Sequence, residues 1–158
     1  GKVYINAHDT LMLFCRRFAD VGVRPVISAW NGPFLRSGGA LIAMGLIAEP
    51  AFALLVHTEG GLVGGHPATT EGLRAFHAHM PKDRRIEWTV CCKHGNLFPL
   101  AMQAITDGGH VSIGIGDYDY PELGQPTNAD LVREVVRMAR LVGRQIATPP
   151  EARTLLGL

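Results

Sequence analysis

Residues 52–92, FALLVHTEGGLVGGHPATTEGLRAFHAHMPKDRRIEWTVCC, carry the alternation on which the whole fold reading rests. The stretch opens on one apolar run, Phe52–His57, and closes on another, Ile86–Cys92, each of strand length. Both runs are apolar on their two faces, as expected of strands buried within a parallel sheet. Between them Thr69–His79 is compatible with a helix. Two parallel strands need a crossover of about a dozen residues or more, so the segment reads as strand, loop, helix, strand.

The same order recurs on either side. Further strand-like runs lie at Val3–Asn6, Pro25–Trp30 and His110–Ile115, and further helical stretches at Thr10–Asp20, Phe34–Ala48 and Leu97–Thr106. A last helix has Asn128 at its cap and places Leu131, Val132, Val135, Val136, Met138, Ala139 and Val142 on one stripe, before Gly143 ends it. Thr148 and Pro149 open a terminal helix whose Leu155 and Leu156, with Leu158, are expected to seal the base of the fold.

With 158 residues the chain has material for one core, so residues 1–158 are read as a single domain. A 47% hydrophobic and 18% charged composition excludes disorder. The formal net charge of +1 implies no nucleic-acid partner and no anionic membrane surface. No apolar run is long enough to span a bilayer. Cys15, Cys91 and Cys92 form no paired framework, which suits a reducing cytoplasm. The chain begins at Gly1 with a strand almost at once, as though its natural start were missing.

Two architectures accept five successive βα units: a small doubly wound sheet, or the later part of an eight-stranded (β/α) barrel. No glycine-rich phosphate fingerprint follows the first strand. The barrel is the working reading: an incomplete TIM barrel comprising about strands 4 to 8 and a C-terminal helix, with the N-terminal βα units absent. Such an arc would leave unpaired edges and a bare concave face, so these residues alone are expected to associate.

In parallel α/β folds the functional residues follow the carboxyl ends of the strands. His57 and His94 each follow a buried run and can bind substrate or exchange a proton, or serve packing alone. The loop from Glu59 to Thr70 offers Gly64 and Gly65 for close backbone approach to a ligand, or simply for a tight turn. In GGHVSIGIGDYD, residues 108–119, Asp117 can orient a substrate or take a proton, or brace a loop, and Asp119 is a weaker case of the same kind. Among the seven histidines no H-x-H or H-E-x-x-H pair lies at a strand end, and the alternately spaced His77 and His79 sit in a helical stretch, where residues two apart point in different directions and do not share an ion. Cys91 and Cys92 should face opposite sides of their strand, with Lys93 and His94 as the groups that would activate a thiolate.

These segments together resemble the beta-keto acid cleavage enzymes, which include the 3-keto-5-aminohexanoate cleavage enzymes. The resemblance is carried by the GGHV strand start at Gly108–Val111, Asp117, TNADLV at Thr127–Val132, ATPPEA at Ala147–Ala152, and Pro99 with Leu100. Gly64, Gly65, Pro67, Ala68 and Thr69 resemble that family's GG-x-PAT loop.

The resemblance implies a zinc-dependent (β/α) barrel, a homo-oligomer, acting on a beta-keto acid with acetyl-CoA as co-substrate. The products are acetoacetate and a new CoA ester, formed by retro-Claisen chemistry. It implies a metal held by an early H-x-H pair and a late glutamate. This chain departs from that pattern: Ser112 stands at the family's arginine, Gly116 at its metal glutamate, and Val26–Asn31 lacks its acidic residues. No metal ligand is therefore assigned. The expected catalytic residues are Asp117, His94 and His57, and the expected substrate-binding residues are Gly64, Gly65, Ser112 and Asp119. The leading reading is a divergent enzyme of this family, and the alternative is a ligand-binding pseudoenzyme of the same fold.

Overall fold

A computed structural model describes residues 5–158. Its elements are α1 (His8–Asp20), β1 (Val26–Ala29), α2 (Gly32–Ala43), β2 (Ala51–Thr58), α3 (Thr70–His77), β3 (Ile86–Lys93), α4 (Phe98–Thr106), β4 (His110–Val111), a 3-10 turn at Pro121–Leu123, α5 (Asn128–Leu141) and α6 (Pro149–Leu156). The four described strands form one parallel sheet in the order β1-β2-β3-β4. Half of the strand expected at Val3–Asn6 lies outside the described residues, and Ile5 and Asn6 are irregular.

Three boundaries differ from expectation for identifiable reasons. Helix α2 stops at Ala43 rather than Ala48 because Gly45 takes a left-handed φ of 71°. There the Gly45 N–H donates to the Ile42 carbonyl and Leu46 N–H to that of Leu41, a Schellman-type end. The strand expected over His110–Ile115 is only His110–Val111, since it pairs with β3 alone and soon meets Gly114 and Gly116. The cap of α5 is Thr127, not Asn128: Thr127 and Asp130 form a capping box, while Asn128 Oδ1 accepts from Ile115 N–H at 2.9 Å.

Strand periodicity sorts the sheet into two faces. Ala29, Ala53, Leu55, Val90 and Cys92 pack against Leu35, Leu73, Phe76, Leu100 and Ala104 of α2, α3 and α4 in the main core. Cys15 of α1 joins Leu41, Ile42, Ile47 and Ala51 in a second cluster. The opposite phase comprises Val26, Ser28, Phe52, Leu54, Val56, Thr58, Glu87, Thr89, Cys91 and Lys93, and none of these belongs to either cluster. Cys91 and Cys92 thus fall on opposite faces, as expected of strand neighbours.

On α5, Leu131 and Ala139 are buried while Val132 and Val142 remain exposed, so the inward stripe is narrower than the sequence suggests. The terminal leucines seal little: Leu155 and Leu158 are exposed, and Leu156 faces a hollow it shares with Val23, Arg24 and Pro50. Arg24 is the tie at that end, its guanidinium donating to the carbonyls of Ala48, Pro50 and Gly157. Among the described residues no helix is long and apolar enough to cross a membrane.

Candidate active site

The carboxyl ends of β2 and β3 and the segment after β4 are tied into one rim by the backbone. Glu59 N–H donates to the Lys93 carbonyl at 2.9 Å, and His94 N–H donates to the Asp117 carbonyl at 2.8 Å. His94 achieves this with a left-handed φ of 62°, unusual for a residue with a Cβ. The Lys93 ammonium also pairs with the Asp117 carboxylate. This hydrogen bond is the main cause that raises the Lys93 pKa, so the lysine stays protonated. An open cleft beside the pair is lined by Gly60, His94, Ile115, Gly116, Asp117, Tyr118 and Asp119.

The glycine-rich loop is fastened over the end of β2. Ala68 N–H donates to Glu59 Oε1 at 2.9 Å, Gly65 N–H to Thr58 Oγ1 at 3.2 Å, and Thr58 N–H to the His66 carbonyl at 2.9 Å. A Cβ on Gly65 would lie 2.4 Å from the Val56 carbonyl oxygen, so the close passage of this backbone requires glycine. Gly64 is exposed beside Trp30.

The structure therefore brings His94, Asp117 and Asp119 into one cleft and sets Gly64 and Gly65 on the neighbouring loop. Ser112 is exposed and, since its N–H donates to the Val90 carbonyl and His110 pairs with Thr89, it lies on the Lys93 face of the sheet. His57 is elsewhere, and its expected catalytic position is corrected. It belongs to the helix-facing phase with Ala53 and Leu55, is fully buried, and stacks edge-on against Phe76. Its Nδ1 donates to the Pro67 carbonyl at 2.9 Å, and burial above all lowers its pKa to about 4. His57 thus braces the glycine loop from beneath.

Neither cysteine is an activated nucleophile, because burial pushes the Cys91 thiol up to about 12 and the Cys92 thiol to about 11. Lys93 enters the expectations from sequence only through its influence on the thiols. The signal for its role was the alternation Glu87, Thr89, Cys91, Lys93, which puts the lysine on the face away from the helices at a strand's carboxyl end. Among the described residues no three His, Cys, Asp or Glu side chains converge to hold a metal ion, and Gly116 offers no ligand atom. These residues do not fit a zinc ion.

A parallel α/β sheet with a carboxylate, a paired ammonium and an imidazole at its strand ends is of the class that presents its ligand-contacting groups there. The comparisons with known proteins make that class specific. The profile of the beta-keto acid cleavage enzymes matches residues 1–158, and the chain belongs to that family. It is 33% identical over 159 residues to a 3-keto-5-aminohexanoate cleavage enzyme of Acetoanaerobium sticklandii, covering 99% of this chain and 56% of that protein. It is 30% identical to the enzyme of the same description from Fusobacterium nucleatum, again covering 99% and 56%. A 3-dehydrocarnitine:acetyl-CoA trimethylamine transferase of Rhizobium meliloti is 29% identical, with 99% of this chain and 51% of that protein covered. The chain thus spans about half the length of the curated relatives it matches.

Proposed function

We propose that this chain is the catalytic-rim portion of a divergent beta-keto acid cleavage enzyme, an acyltransferase that exchanges acyl groups between a beta-keto acid and acetyl-CoA. In this reading the sheet is an arc of a (β/α) barrel, about strands 4 to 8. The sequential order β1-β2-β3-β4, with the core clusters drawn from one face, supports an arc over the doubly wound alternative, whose order reverses at a switch point. The observation that carries the function is Asp117, held at the strand ends by Lys93 and by His94 N–H in a chain that belongs to this family.

The exchange balances without further reagents. The bond between the keto carbon and the CH2–COO⁻ unit breaks, and that unit bonds to the acetyl carbonyl carbon. The CoA sulfur leaves the acetyl group and joins the remaining acyl carbon, giving acetoacetate and a new CoA thioester. Asp117 is the group that takes and returns the proton, His94 is a second proton carrier across the cleft, and Gly64, Gly65, Ser112 and Asp119 contact substrate. The resemblance implies zinc as a Lewis acid, but the described residues supply no ligand set, and no step here is routed through it. A homo-oligomer in the cytoplasm completes the proposal.

The test is an assay of the intact protein with acetyl-CoA and a panel of beta-keto acids, following new CoA esters by mass. Turnover is expected, and Asp117→Asn should lower kcat by about 10²-fold or more with the melting temperature little changed. Tight binding of keto acids with no turnover by the wild type would reverse the assignment in favour of a pseudoenzyme.

A further inference from the structure

Lys93 is the only lysine or arginine on any described strand of the sheet. It ends β3 on the face away from the helices, opposite Thr58 of β2 and next to β4, whose side of this face continues through His110 to Ser112. The other well-anchored cations are engaged away from this rim. Arg24 is spent on three carbonyls that include Gly157, and Arg144 on the carbonyls of Ile105 and Gly108. The Asp117 carboxylate occupies one donor of the Lys93 ammonium, and the lysine side chain remains 37% exposed. An ammonium has three N–H donors, so two are left for a ligand.

A beta-keto acid is an anion. Brought beside Asp117 with no cation present, its carboxylate would be repelled, because two negative charges within a few ångströms disfavour each other in a partly desolvated site. We infer that Lys93 is the residue that binds the carboxylate of the keto acid, standing between that carboxylate and Asp117 as the shared positive charge. The exposed Ser112 hydroxyl, one residue past the adjacent strand β4, is the second donor to the same carboxylate, too weak by itself because it carries no charge. The inference rests on the enzyme reading for the identity of its ligand, but concerns binding and not turnover.

The experiment uses the intact protein with acetoacetate as the anionic probe and methyl acetoacetate as its neutral counterpart, both followed by calorimetry. Wild type should bind the acid about tenfold or more tightly than the ester, and Lys93→Met should erase that preference while leaving affinity for the ester unchanged. Lys93→Arg should retain most of the preference. Equal wild-type affinity for acid and ester, or no binding of acetoacetate, overturns the inference without requiring any variant to fold. So does undiminished acetoacetate binding by Lys93→Met. The two readings fail separately: a Lys93-dependent preference without turnover refutes the enzyme alone, and turnover with unchanged acetoacetate affinity in Lys93→Met refutes the carboxylate site alone.

Discussion

Replacing His57 tests the reassignment of that residue from chemistry to architecture. Its Nδ1 donates to the Pro67 carbonyl, which leaves Nε2 as a bare lone pair that is buried and has no partner. Adding a proton there would place an N–H and a full charge in an apolar pocket beside Phe76. The folded protein accordingly holds the imidazole neutral down to about pH 4, whereas in the unfolded chain it ionises at 6.5. Because the unfolded state binds the extra proton first, the contribution to stability is complete well above pH 6.5 and is lost as pH falls toward 4. Integrating between pH 7 and pH 5 gives about 2 kcal/mol of lost stability from this one side chain.

His57→Gln keeps an amide donor toward Pro67 but cannot titrate. Urea unfolding of both proteins at pH 7 and pH 5 should therefore show the wild-type advantage shrinking by about 2 kcal/mol on acidification. An advantage that does not change with pH would refute the buried, neutral histidine and reopen a solvent-accessible acid–base role.

Four further outcomes follow from the structure. Gly72→Ala would set a Cβ 2.1 Å from the Pro67 carbonyl oxygen, so a cost of about 1–3 kcal/mol is expected in urea melts despite alanine's better helix propensity. Gly116→Ala, with nothing within 4 Å of its Cβ, should stay within about 0.5 kcal/mol of wild type. Thr127→Ala removes the side-chain half of the α5 capping box, the Oγ1 that accepts from Asp130 N–H and donates to Asp130 Oδ2, and should cost about 1 kcal/mol, read by the same melts. Cys91 and Cys92, only 1% and 2% exposed, should resist iodoacetamide at pH 8 in the folded protein and alkylate fully in denaturant, as counted by intact mass.

Much of the fold was legible along the chain. The runs at Phe52–His57 and Ile86–Cys92 emerge as β2 and β3, each within a residue of its expected ends, because apolar strands of this length have few alternatives to central burial. Thr69, Gly143 and Thr148 mark helix boundaries through local chemistry that needs no tertiary partner. The family itself was legible in short segments such as GGHV and ATPPEA. Asp117 and His94 were legible as candidates because they follow strands, the position where parallel sheets present side chains to ligands.

What the chain alone left open was which face each candidate takes and which charge it meets. His57 and Lys93 both stand near the ends of neighbouring strands. A difference of one residue in register phase sends the histidine under the helices and the lysine to the opposite face. The pairing of Lys93 with Asp117, 24 positions apart, exists only because β4 lies beside β3 and the His94 N–H draws the following segment across. Periodicity and capping are properties of neighbours along the backbone and are written in sequence. The meeting of an ammonium with a carboxylate across two strands depends on long-range register, and only the folded sheet decides it.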